Sequence, residues 1–151
     1  MGFSLSHGKL LDVGQIGLTA QDLPSYDAGP IDLPSWFGLH RADRPMELEI
    51  GSGKGTFLVQ RAAAQPDLNF VGLEYARAFW RYAADRCRRH DLDNVRLVCV
   101  EADLFVRNFV PNACLTQVHI YYPDPWPKKR HHKRRLIQTP FLLQLHRALK
   151  T

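Results

Sequence analysis

The sequence predicts an α/β fold, a parallel β-sheet with helices on both faces. Three observations lead there: strands and helices alternate from Met46 onward, a glycine-rich turn follows the first strong strand, and acidic residues close the next two strands. The first strand is Met46–Gly51 (MELEIG). A helix over Thr56–Gln65 carries Phe57, Leu58 and Ala62 on one face and is closed by Pro66. A strand over Asn69–Glu74 (NFVGLE), a helix over Arg77–His90 with a basic outer face, and a strand over Val95–Val100 (VRLVCV) follow. A short helix around Leu104–Phe109 then precedes a strand over Leu115–Tyr122 (LTQVHIYY). Thr139 reads as the N-cap of a last helix with Pro140 in its first position and Phe141, Leu142, Leu145 and Leu149 as its apolar stripe. Residues 1–45 are rich in Gly and Pro and sustain neither period. They read as an irregular arm anchored by Trp36 and Phe37, with the folded domain over 46–151.

Composition narrows the function classes. The 151 residues suffice for one domain with a core, and 45% are apolar. No run approaches the eighteen or so apolar residues of a membrane span, and no secretory signal opens the chain, so no membrane partner is expected. The cysteines, Cys87, Cys99 and Cys114, are odd in number and form no C-x-x-C pair. A reduced, cytoplasmic protein without a metal site is the natural expectation. The net charge of +5 is concentrated: Lys128, Lys129, Arg130, Lys133, Arg134 and Arg135, with His131 and His132, fall in one short window, and outside it acids and bases nearly balance. Such a segment suits a polyanionic partner.

The turn Gly51-Ser52-Gly53-Lys54-Gly55-Thr56 can serve several ligands. A P-loop requires a glycine where Leu48 stands and a Ser or Thr where Gly55 stands, so a nucleoside triphosphate is rejected. A dinucleotide fingerprint requires a third glycine where Thr56 stands. S-adenosylmethionine carries a sulfonium and an ammonium and no phosphate, so Glu49 beside the loop favours it. Glu74, 23 residues after Gly51, stands where an acid meets ribose hydroxyls, and Glu101 and Asp103 follow the third strand on the adenine side. After the fourth strand, Pro123 and Pro125 hold Asp124 in extended backbone. A carboxylate there can accept the N1–H and N2–H of guanine and tolerate the cation formed when N7 is methylated. Trp126 reads as a packing residue or a base-stacking one. The basic run beyond it would grip a nucleic-acid backbone and fix register with little sequence choice.

The strings LEIGSGKG, VGLE and YYPDPWPKKRHHKRR resemble the bacterial tRNA (guanine-N7)-methyltransferase family over about Glu47–Lys150. The resemblance implies a Rossmann-like S-adenosylmethionine-dependent fold and methylation of guanine 46 in tRNA. It implies that Glu49, Glu74 and Glu101 contact the cofactor together with Gly51 and Gly53. Asp124 would act as the active-site acid near the methionine part of the cofactor. Lys128 would contact substrate, with Arg130, His131, His132, Lys133, Arg134 and Arg135 along the RNA. Glu101 stands where the family has Asp, leaving Asp103 as a substitute, and Tyr122 replaces Phe. The family continues past the last helix with three strands that would pair beside the fourth strand. Their expected absence here would leave that edge open. Two other readings stay open on the residues alone: an impaired tRNA-binding remnant of such an enzyme, and a methyltransferase for a substrate other than RNA.

Overall fold

The computed structural model describes residues 5, 8–121 and 135–151. Among these residues five strands form one sheet: β1 (Gly17–Thr19), β2 (Met46–Ile50), β3 (Asn69–Leu73), β4 (Val95–Cys99) and β5 (Gln117–Ile120). They lie in the order β1-β4-β3-β2-β5, and each neighbouring pair is parallel. Among the described residues four α-helices connect or follow them: α1 (Thr56–Ala64), α2 (Arg77–Arg89), α3 (Ala102–Phe109) and α4 (Thr139–Ala148). The α/β class expected from the alternation is what forms.

A parallel sheet with both faces covered requires apolar residues on both faces. The two faces divide the core into two clusters. On one side Met46, Leu48, Ile50, Val71, Leu73 and Val98 pack with Phe105 and Phe109 of α3 and with Phe141 and Leu145 of α4. On the other, Phe70, Val95 and Leu97 pack with Leu58 and Ala62 of α1 and with Trp80, Ala83 and Cys87 of α2. Side chains alternate along a strand, so Glu47 and Glu49 share the α1/α2 face with Gly72. Gly72 is opposite Glu49 in the register. A Cβ added to Gly72 would come within 2.4 Å of Leu97, 2.6 Å of Leu58 and 2.7 Å of Ser52. That crowding is why a strand interior carries a residue of low strand propensity.

Several local details differ from expectation. The arm supplies β1, which pairs with β4 at Gly17↔Leu97, and, among its described residues, four short 3₁₀ helices. Its Ile16, Leu33 and Phe37 are buried, while Trp36 is half-buried against Phe105. Three residues of strand are too few to show a period. The strand expected over Leu115–Tyr122 is shorter, with Leu115 instead making a separate parallel bridge to Leu149. Gln138, in extended backbone, is the N-cap of α4, so Thr139 is the first helical residue and Pro140 the second, one position later than expected. Leu142 faces outward at 46% exposure, and Ala148 takes its place in the buried stripe with Phe141 and Leu145.

Candidate functional site

All five strands point the same way, so their carboxyl ends share one edge, where open α/β sheets bind ligands. β2 leads there into the glycine turn. The amides of Gly51 and Ser52 both donate to the Leu73 carbonyl, at 2.8 and 3.1 Å, tying the turn to the end of β3. Gly51, Gly53 and Gly55 have φ of 77°, 53° and 71°. A Cβ placed on Gly51 or Gly53 meets nothing within 4 Å among the described residues, which leave that side of the turn open. Gly55 differs: its Cβ would lie 2.9 Å from that of Ala83, so this glycine lets the start of α1 approach α2.

Glu74, at the end of β3, binds that turn directly. Its Oε2 accepts the Gly53 amide at 2.7 Å and its Oε1 accepts the Ala76 amide at 2.8 Å. A carboxylate predicted to meet ribose hydroxyls is thus oriented by backbone donors beside the open face of the turn.

Glu49 is 4% exposed, and its Oε2 has no hydrogen-bond partner among the described residues. Ser52 Oγ, also buried, has none either. Burial pushes the Glu49 carboxyl up to about 7, and the neighbouring Glu74 charge adds to the rise. A buried, unsatisfied carboxylate costs free energy unless a ligand or proton meets it. This carboxyl lies at the end of β2, two residues before the glycine turn begins.

Glu47, two residues earlier on the same face and equally buried, is fully engaged. Arg61 of α1 donates to both of its oxygens, at 2.9 and 3.2 Å, and His119 of β5 contacts Oε2 through Nε2 at 2.8 Å. Burial opposes the ionisation of Glu47, but the bonds from Arg61 and His119 outweigh it and hold the carboxyl below its usual range. Phe57 packs over the rings of His119 and Tyr121, at 4.6 and 5.1 Å between centroids. Sequence reasoning did not identify this cluster, nor Ser52 and Gly72. The glycine inside NFVGLE was the one available signal, since glycine within a strand marks close approach.

Glu101 caps α3 with backbone geometry only. It is exposed, and no described residue bonds its carboxylate. Asp103, the possible substitute, is engaged by Arg107 one turn later at 2.6 Å. β5 brings the chain to the same edge at Tyr121. Asp124, Lys128, Arg130, His131, His132, Lys133 and Arg134 lie outside the described residues, and Arg135 resumes them. The structure therefore brings Glu49, Gly51, Gly53 and Glu74 together and sets Glu101 at the end of the neighbouring β4.

A family described as putative methyltransferases matches residues 43–151, the whole of the chain from just before β2 onward. The chain belongs to this family. Among curated family relatives, a tRNA (guanine-N(7)-)-methyltransferase of Nitrosomonas eutropha is 42% identical over 125 residues, covering 83% of this chain and 54% of that protein. One of the same name from Yersinia pseudotuberculosis is 40% identical over 83% of this chain and 51% of its own length. The chain spans about half the length of the curated relatives it matches. Solved structures share the fold: an S-adenosylmethionine-dependent methyltransferase from Aquifex aeolicus (TM-score 0.53, 17% identity, 76% of this chain and 54% of that one) and a 30S ribosomal A1408 methyltransferase from an uncultured bacterium (TM-score 0.52, 15% identity, 70% and 50%). The fold is the Rossmann-like one of S-adenosylmethionine-dependent methyltransferases. No helix among the described residues is long and apolar enough to cross a membrane.

Proposed function

We propose that this chain takes part in S-adenosylmethionine-dependent methylation of guanine N7 in tRNA, at position 46, in the cytoplasm. The observation that carries the cofactor reading is Glu49: a buried carboxylate with an oxygen unpartnered among the described residues, beside a glycine turn where a Cβ on Gly51 or Gly53 would meet no described atom within 4 Å. A cationic ligand satisfies that oxygen, whereas phosphates would be repelled by it and by Glu74. When bound, S-adenosylmethionine supplies an electrophilic methyl group on a sulfonium.

The residues present fit this group. Glu49 would meet the ammonium end, Gly51 and Gly53 would admit it closely, and Glu74 would accept from ribose hydroxyls by giving up part of its hold on the Gly53 and Ala76 amides. Glu101 would serve the adenine side. Asp124 would orient the guanine by accepting from N1–H and N2–H and would offset the positive charge that develops on the base. Guanine N7 has a free lone pair, so no general base is needed, and placement with charge stabilisation accounts for the rate. Lys128, Arg130, His131, His132, Lys133, Arg134 and Arg135 would hold the tRNA backbone. The names of the relatives and the string YYPDPWPKKRHHKRR support tRNA guanine as the substrate.

The test is methyl transfer from labelled S-adenosylmethionine to unmodified bulk tRNA, followed by nucleoside analysis. The expected product is 7-methylguanosine, lost in Asp124→Ala. A different methylated nucleoside, or transfer to free guanosine as efficient as to tRNA, would overturn the reading.

A further inference from the structure

We propose that Arg77 and Arg81 of α2 form a second phosphate-binding contact for the RNA, on the far side of the glycine turn from β5. The inference rests on the tRNA reading above. Six of the twelve arginines among the described residues are engaged by a carboxylate: Arg41 by Asp93, Arg44 by Asp67, Arg61 by Glu47, Arg88 and Arg89 by Asp85, and Arg107 by Asp103. Arg77 and Arg81 are exposed, and neither has a carboxylate partner among the described residues. Arg77 instead lies over the Trp80 ring, 5.9 Å from its centroid. Glu74, three residues before it, has both oxygens on the backbone amides of Gly53 and Ala76.

The two arginines are one turn apart, so they present their charges on the same side of the helix. Like charges at that spacing weaken a helix unless something anionic lies across them. The first turn of α2 contains no acidic residue, so the positive end of the helix dipole reinforces the same field. Arg77 also lowers the pKa of the Cys99 thiol against the larger effect of burial, which places its charge by the carboxyl end of β4.

That end is three strands from β5 in the sheet order. At about 4.8 Å per strand, the two lie roughly 14 Å apart along the edge. An RNA backbone held where the chain leaves β5 would therefore pass over the glycine turn to reach Arg77 and Arg81, which fits one target base entering between two anchored stretches of phosphate. Planar guanidinium groups suit phosphate recognition.

The test measures the affinity of the full chain for unmodified tRNA across a salt series. The wild type is compared with Arg77→Gln/Arg81→Gln, with Arg77→Lys/Arg81→Lys, and with a control, Arg44→Gln/Lys150→Gln, at the opposite edge of the sheet. The Gln pair is expected to weaken binding and to reduce the log–log salt slope by about 1.5, near 0.7–0.9 for each lost phosphate contact. The Lys pair should keep most of the slope, and the control should keep all of it. The Lys pair separates a charge effect from loss of the packing on Trp80. A wild-type slope retained in the Gln pair would overturn the proposal and leave the tRNA reading standing. Absence of salt-dependent tRNA binding by the wild type would overturn both.

Discussion

Glu47 and Glu49 are the same residue type, two positions apart on one strand, on the same face, and each 4% exposed. One is held by a guanidinium and an imidazole, and the other has an oxygen with no partner. The difference arises from lean rather than position. His119 stands opposite Glu49 in the strand register, yet its ring reaches back to Glu47. Strand side chains tilt along the strand axis, and Arg61 waits at that end to complete the cluster. Burial alone therefore does not separate a structural acid from a binding one; the partners do.

The most direct way to break this comparison is to delete the engaged acid. Glu47→Ala removes the acceptor of the Arg61 guanidinium and the partner of the His119 ring and should destabilise the chain by about 2 kcal/mol, the scale of lost charge-assisted hydrogen bonds. Urea unfolding would measure it, and a loss below about 1 kcal/mol would mean the cluster is ornamental.

Glu49→Gln should do the opposite to the ligand-free chain. The raised carboxyl, about 7 against 4.5, adds stability that is fully present below about 4.5 and lost as pH rises through about 7. At pH 8 the Gln variant should therefore exceed the wild type by up to about 3 kcal/mol, since each tenfold change in proton affinity is worth roughly 1.4 kcal/mol. Its affinity for S-adenosylmethionine should fall, and unfolding and titration across pH would show both. Glu47 has the reverse sign: held below its usual range, it contributes stability above about 4.5 that is lost as pH falls through its lower folded value. Matching pH profiles for the two single variants would erase the distinction.

Two smaller effects sharpen it. Gly53→Ala meets no neighbour but forces a φ of 53° on a residue with a Cβ, costing about 1 kcal/mol in thermal unfolding. Glu74→Gln removes a like charge that pushes Glu49 up. The pH at which Glu49 loses its proton should then move downward while the fold stays intact.

Much of the architecture was legible because β2, β3, β4, α1 and α2 are long and patterned enough to show a period. β1 was not, since three residues carry no period and their partner is 80 positions away. That Glu49, Gly51, Gly53 and Glu74 gather at one edge of the sheet was legible because glycine turns and strand-end acids are local features. The bonds that tell Glu47 from Glu49 were not. His119 is 72 positions from Glu47 in the chain, and nothing in the string MELEI distinguishes its two acids. The first position of α4 differs from expectation because Thr139 is a good cap by composition, while the extended backbone that defines the cap belongs to Gln138.

The pairing of β1 with β4 has a consequence for how the chain folds. Closing so long a loop must await a template, and the template is β4, already aligned beside β3. On a ribosome, Gly17–Thr19 emerges well before that template exists, so this segment would dock only after the later-made β4 is in place. Its amides should also exchange with solvent sooner than those of β2 and β3, which are held by neighbours on both sides.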